Sequence, residues 1–261
     1  MSYHTITLEK RQRIAFITMA KPDLGNAIDL QMAAELREAC EEIEGDDAIT
    51  VAVLQAQGAF FNSGSSLVSS YISGLSSSEE MLQVLEQHRV AATLGKMTKP
   101  IIAAINGDAI GQGLELALAC DIRVVELEAR LGFPQIPETF LPWDGGTQRL
   151  WRVVGLSWAT DLLLTGRLVD SREALSIGLA NLTVRLEDLP ATVEDLASTI
   201  AGSGPIAARY AKETVLRGSD MTIAEGLRLE ADLNFLLFST SDRSEGIRSF
   251  LERRQPEYRG E

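Results

Sequence analysis

Apolar residues along this chain follow two rhythms: short continuous or alternating runs, and longer stretches with apolar positions three or four apart. The short runs predict strands. Thr5–Leu8 and Ile14–Met19 read as a pair joined by the charged turn Glu9–Arg13, and Thr50–Gln55 reads as a buried parallel strand. Pro100–Ile105 is a further buried strand, and shorter ones follow at Ile122–Val125, Arg130–Phe133 and Leu182–Val184. The longer rhythm predicts helices. Asp29 is placed to cap one that carries Met32, Leu36, Ala39 and Ile43 on a single face, and Gly45-Asp46-Asp47 stops it. Glu79–Met97 continues the helical pattern, as do Leu114–Ala119, Thr147–Val153, Ser157–Leu164 and a segment opening at Ser171. From Leu189 the pattern is helical to Arg254, with a break at Gly202–Pro205.

Between these elements lie loops marked by their chemistry. Lys21–Ala27 carries Pro, Gly and Asn, and Pro134–Gly146 is long and irregular. Gly58–Ser78, rich in serine, reads as a mobile loop with helical turns. Strands alternating with helices, then a helical tail, predict an α/β fold with a mainly parallel sheet. The expected division is an α/β core over residues 1–200 and a helical C-terminal subdomain over 201–261.

Composition narrows the function. The 261 residues are 45% hydrophobic and 23% charged, enough for a sizeable core. A net charge of −13 disfavours a nucleic-acid surface, which needs clustered Lys and Arg. Two cysteines, Cys40 and Cys120, show no metal spacing, and no apolar run is long enough to cross a bilayer. A cytoplasmic protein is expected, with no membrane or nucleic-acid partner.

The chemistry concentrates at Asn106–Leu116. A buried strand passes through a loop holding Gly107, Gly111 and Gly113 into an apolar helix with Glu115 in its first turn. Free backbone N–H groups at a helix start, beside a carboxylate, suit chemistry on a thioester carbonyl.

Four landmarks, in order and at matching spacing, show that the chain resembles the enoyl-CoA hydratase/isomerase (crotonase) superfamily over essentially its whole length. They are Phe61-Asn62-Ser63-Gly64-Ser65-Ser66-Leu67; Lys99–Gly107 continued by Gly111–Ala117; Asp144-Gly145-Gly146-Thr147-Gln148-Arg149-Leu150; and Leu164-Thr165-Gly166-Arg167 with Gly178-Leu179-Ala180. The tail Glu245–Arg254 is similar as well. The resemblance implies a spiral of ββα units, acyl-CoA as substrate, coenzyme A as the only cofactor (carried on the substrate), and a homotrimer or dimer of trimers built through C-terminal helices. It implies that the backbone N–H groups of Ser65 and Gln112 form an oxyanion hole for the thioester oxygen. It places Glu115 as one catalytic carboxylate. It places Asp23, Leu24, Ser63 and Arg253 where coenzyme A is held.

The departures matter as much. The family's second glutamate falls on Gln135, which cannot exchange a proton at neutral pH. Asp144, next to Gly145-Gly146, is the candidate replacement, with Gln135 orienting water; its bland alternative is an N-cap for the helix at Thr147. Glu138 reads as a solvated loop acid. Ser66 stands where aspartate is usual, and Gln112 where glycine is usual, which an amide donor tolerates if its φ is negative. Tyr71, Phe140 and Trp143 are candidates to line an acyl pocket for a bulky or cyclic group, while His4 and His88 read as surface residues. The expected activity is hydration of an unsaturated acyl-CoA. Isomerisation, hydrolysis or decarboxylation of an acyl-CoA, and a non-catalytic CoA-binding relative, are the alternatives.

Overall fold

Gln12 and Arg13 turn the chain through the left-handed region (φ 49° and 69°) and close a hairpin between β1 (Ile6–Arg11) and β2 (Ile14–Met19). The charged residues Glu9–Arg11 therefore belong to the strand, and only two residues make the turn. The computed structural model describes residues 3–67 and 77–261, apart from the side chains of Met81 and Glu138.

After the hairpin, Asp29 caps α1 (Leu30–Glu44), its side chain accepting from Met32 N, and Gly45 ends it. The chain then feeds two sheets alternately. β3 (Val51–Ala56), β5 (Ile101–Ile105) and β7 (Ile122–Glu126) join the hairpin and β10 (Leu182–Val184) in a six-stranded sheet of order β1-β2-β3-β5-β7-β10. Only the β1–β2 pairing is antiparallel. Each long strand is followed by a short one in a second sheet: β4 (Phe60–Asn62), β6 (Asp108–Ile110) and β8 (Arg130–Gly132), closed by antiparallel β9 (Leu168–Asp170). With α4 (Gln112–Ala119) and its counterparts between turns, this is the expected ββα spiral.

Period-two alternation divides the core. On β3, Val51 and Val53 face one way and Ala52 and Leu54 the other; on β5, Ile102 and Ala104 oppose Ile101, Ala103 and Ile105. One face meets Leu189, Val193 and Ala197 of α8 (Leu189–Ala201). The other packs on α1, α4 and the second sheet.

Three stretches fold differently from the pattern. The helix expected over 79–97 breaks into α2 (Ser78–His88) and α3 (Ala91–Leu94), because Arg89 is extended (φ −68°, ψ 125°). Strands β4, β6 and β9 occupy segments too short to show a period. The helical tail is cut into α9 (Pro205–Gly218), α10 (Ile223–Leu237) and α11 (Ser241–Glu252), with Thr222 and Thr240 capping the last two. Lys212 of α9 ties the tail to the core, donating to Asp121 Oδ2 at 2.8 Å and to Lys99 O at 3.0 Å. Between α4 and α8 lie α5 (Gly146–Val154), α6 (Leu156–Thr165) and α7 (Ser171–Ser176). No helix among the described residues is long and apolar enough to cross a membrane.

Candidate functional site

Ser65, Gln112 and Gln135 follow the C-terminal ends of β4, β6 and β8, three parallel neighbours in the second sheet. The spiral thus delivers one loop per turn to the same edge. Gly111 N–H donates to Gly132 O at 2.9 Å, which carries the ladder beyond the strands and holds the second and third loops side by side.

In the first loop, Ile28 N–H donates to Gly64 O and Ser66 N–H to Ile28 O, a single parallel bridge at Ser65. Successive N–H groups of an extended chain alternate in direction, so the Ser65 N–H points away from Ile28. Asn62 braces the loop from beneath: fully buried, it donates to Asn26 O and accepts from Gly64 N–H at 2.8 Å. Its role was not legible in the sequence beyond the loop's polar character.

In the second loop, Gly111 adopts φ 54° and ψ −117°, a conformation open to glycine, and turns the chain into α4. Gln112 is the first residue of that helix and has negative φ, so its N–H belongs to the group that has no partner inside the helix. Gly113 lets the two loops touch, since a Cβ there would lie 2.5 Å from Asn62 O.

Glu115 sits one turn along, with no exposed surface. Its Oε1 accepts from the N–H groups of Asp144 and Gly146, each at 2.8 Å, while Oε2 is buried without a hydrogen bond among the described residues. Burial pushes its carboxyl up to about 7; the Gly146 N–H opposes the rise and the nearby Asp144 charge adds to it. A carboxyl in that range gives or takes a proton at neutral pH.

Gln135 reaches over the turn at Gly111, where a Cβ would lie 3.5 Å from its Oε1. That oxygen is also buried and without a hydrogen bond among the described residues. Asp144 does not cap its own helix, for α5 starts behind Gly145 in the left-handed region with no side-chain cap. Its carboxylate instead caps α3. Oδ2 accepts from Val90 N–H at 2.7 Å and Ala91 N–H at 2.8 Å, and Oδ1 from Ala92 N–H at 3.2 Å.

Phe140 and Trp143 line a mostly apolar cavity of about 750 Å³ beside Asp144, walled also by Leu67, Leu85, Arg89 and Ala92. Tyr71 and the side chain of Glu138 lie outside the described residues. His88 is not on the surface. It is fully buried at the end of α2, its Nδ1 is 2.8 Å from Val84 O, and burial lowers its pKa. The polar sequence of α2 hid this, because α2 packs against α1, far earlier in the chain, whose Arg37 donates to Gln87 O and Arg89 O. Leu24 and Ser63 are neighbours, with Ser63 Oγ 3.5 Å from Leu24 O, and Asp23 adjoins them. Arg253 ends α11 far along the chain, and no hydrogen bond or ion pair ties its side chain to that group among the described residues.

Comparison with known proteins agrees with this architecture. The model of the family described as enoyl-CoA hydratase/isomerase matches residues 9–261. The chain is 35% identical to "Probable enoyl-CoA hydratase echA8" of Mycobacterium bovis, over 99% of each chain. It is 33% identical to crotonyl-CoA hydratase of Syntrophomonas wolfei subsp. wolfei, again over 99% of each. The crystal structure of enoyl-CoA hydratase from Bacillus anthracis superposes with a TM-score of 0.94 at 32% identity, covering 99% of this chain and 100% of that one. A crotonase spiral, matched by its family model over nearly every residue, makes this chain an enzyme of the enoyl-CoA hydratase/isomerase family.

Proposed function

We propose that the protein hydrates an α,β-unsaturated acyl-CoA with one carboxylate in place of two. The observation that carries this is the pair of buried acceptors, Glu115 Oε2 and Gln135 Oε1, each without a hydrogen bond among the described residues. A water that donates one hydrogen to each leaves a lone pair free to attack.

The thioester oxygen sits between the Ser65 and Gln112 N–H groups, which stabilise the charge that grows on it; one such donor is worth roughly 10²–10³ in rate. The water oxygen bonds to Cβ, and the Cα–Cβ π electrons move into the thioester enolate. The water's proton passes to Glu115 Oε2. Glu115 then returns that proton to Cα as the enolate collapses, so H and OH are both added and the carboxylate is regenerated. Gln135 orients the water without exchanging a proton. Asp144 holds the machinery through its N–H and its cap of α3, and in this reading does no proton transfer.

The cavity beside Trp143 and Phe140 supports a bulky or cyclic acyl group. Asp23, Leu24 and Ser63 form the coenzyme A side of the site, and Arg253 meets its phosphates from the same chain or a neighbour. Exposed Ile223, Phe235, Phe250 and Leu251 on the C-terminal helices support assembly into a trimer or dimer of trimers, which light scattering reads directly. Two buried, unpaired cysteines fit a reduced, cytoplasmic setting.

A second reading, double-bond isomerisation, is favoured by the same lone carboxylate, since moving one proton between two carbons needs only one base that titrates near neutrality. A panel of straight-chain, branched, aromatic and alicyclic enoyl-CoAs, followed for water addition and for double-bond migration, separates the two. Glu115→Gln should lower turnover by about 10²–10⁴ while thioester binding persists. Undiminished turnover in that variant would overturn the role given to Glu115.

A further inference from the structure

The Gln112 side chain is left unexplained by the oxyanion role, which needs only its backbone. It is 2% exposed, and its Nε2 donates to His88 O at 2.6 Å and lies 3.3 Å from Asp144 Oδ2. Both partners are pure acceptors, so the amide's orientation is fixed by chemistry: the NH₂ end must face them. Its Oε1 is consequently buried with no hydrogen bond among the described residues. A buried amide with half its capacity unmet costs stability, and glycine at this position would carry no such cost.

What the side chain gains is a connection. His88 ends α2 and Asp144 caps α3 through Val90, Ala91 and Ala92, and this α2–α3 segment carries the cavity-wall residues Leu85, Arg89 and Ala92. One side chain therefore joins the donor for the thioester oxygen to the wall that faces the acyl chain. On this reading a short acyl group would stop before that wall, whereas a bulky one would fill the cavity up to it.

We propose that the Gln112 side chain is a specificity-determining positioning residue, which fixes the α2–α3 wall of the acyl cavity relative to the oxyanion turn. This rests on the acyl-CoA reading of the site. The test uses Gln112→Met, which keeps the N–H and nearly the volume but removes both donors, and Gln112→Ala. Free coenzyme A, butyryl-CoA and 3-phenylpropionyl-CoA, saturated thioesters that cannot be hydrated, are titrated calorimetrically into each full-length protein. In both variants affinity for 3-phenylpropionyl-CoA should fall about tenfold relative to butyryl-CoA, the scale of one lost buried hydrogen bond, with coenzyme A binding unchanged. Amide hydrogen exchange at Val90–Ala92 should accelerate in parallel.

An affinity ratio within twofold of wild type, or an equal loss for all three ligands, would overturn the assignment. So would failure of both variants to fold, which would make the side chain a folding residue only. If wild type binds neither thioester, the acyl-CoA reading itself falls; normal binding with an unchanged ratio sinks this inference alone.

Discussion

Asp144 donates its backbone N–H to Glu115 Oε1 at 2.8 Å, so the residue that crowds Glu115 with negative charge also holds it in place. Gly146 N–H matches it at the same distance, and both donors bind Oε1, leaving Oε2 buried without a hydrogen bond among the described residues.

This arrangement has a signature in stability. The Glu115 carboxyl sits at about 7 in the fold against an ordinary 4.5. Between those values the unfolded chain is ionised and the folded one protonated, so the unfolded state binds fewer protons. Stability from this group is present below about pH 4.5, falls as pH rises to about 7, and then levels off. Glu115→Gln removes the effect. Relative to wild type, it should gain up to roughly 3 kcal/mol between about pH 5 and about pH 8, measured by chemical denaturation. A difference that shrinks with rising pH would contradict the assignment.

Gln135→Glu would put a second carboxylate beside the water invoked in the proposed mechanism. Hydration of crotonyl-CoA should rise by about tenfold or more if a missing acid limits the rate. The two carboxyls would then titrate as a coupled pair, and the acid limb of the pH–rate profile should move upward. An unchanged rate with intact folding would show that Gln135 does not stand beside the reacting water.

Removing the Asp144 carboxylate strips three N–H groups of their partner. Asp144→Ala should cost about 2 kcal/mol, a lost helix cap with buried donors left over, and Asp144→Asn, which keeps one acceptor oxygen, distinctly less. Thermal unfolding ranks the two. Equal stability of Asp144→Ala and wild type would refute the capping role.

Gly113→Ala tests the contact between the loops that carry Ser65 and Gln112. The added Cβ would meet Asn62 O at 2.5 Å and Asn62 Cβ at 2.7 Å, both in a fully buried residue with little room to move. The expected cost is about 1–3 kcal/mol. On the proposed function, separating the Ser65 and Gln112 N–H groups should also lower turnover by roughly tenfold or more. Normal kinetics would mean that the loops tolerate a looser fit.

Much of this was legible beforehand. Asp29 as a cap, Gly45 as a stop and the buried faces of β3 and β5 follow from local spacing and turn chemistry alone. The short strands β4, β6 and β9, three residues each, were not, because three residues show no period and their pairing is set by distant segments. The same holds at the site. The place of Glu115 in a first helical turn could be read, whereas the target of the Asp144 carboxylate is a helix more than fifty residues earlier, and His88 is buried although its own helix reads as polar.

The spiral has a consequence for how such an enzyme changes over time. Ser65 and Gln112 hang from β4 and β6, and Gln135 from β8, so under the proposed function grip on the thioester and choice of acid would belong to successive turns of the coil. A grip made by main-chain donors, as proposed, would be indifferent to most substitutions in the third turn. One residue there can be exchanged, redirecting what happens to the substrate, while the handle by which the substrate is caught stays as it was. The architecture separates inheritance of a ligand from inheritance of a reaction.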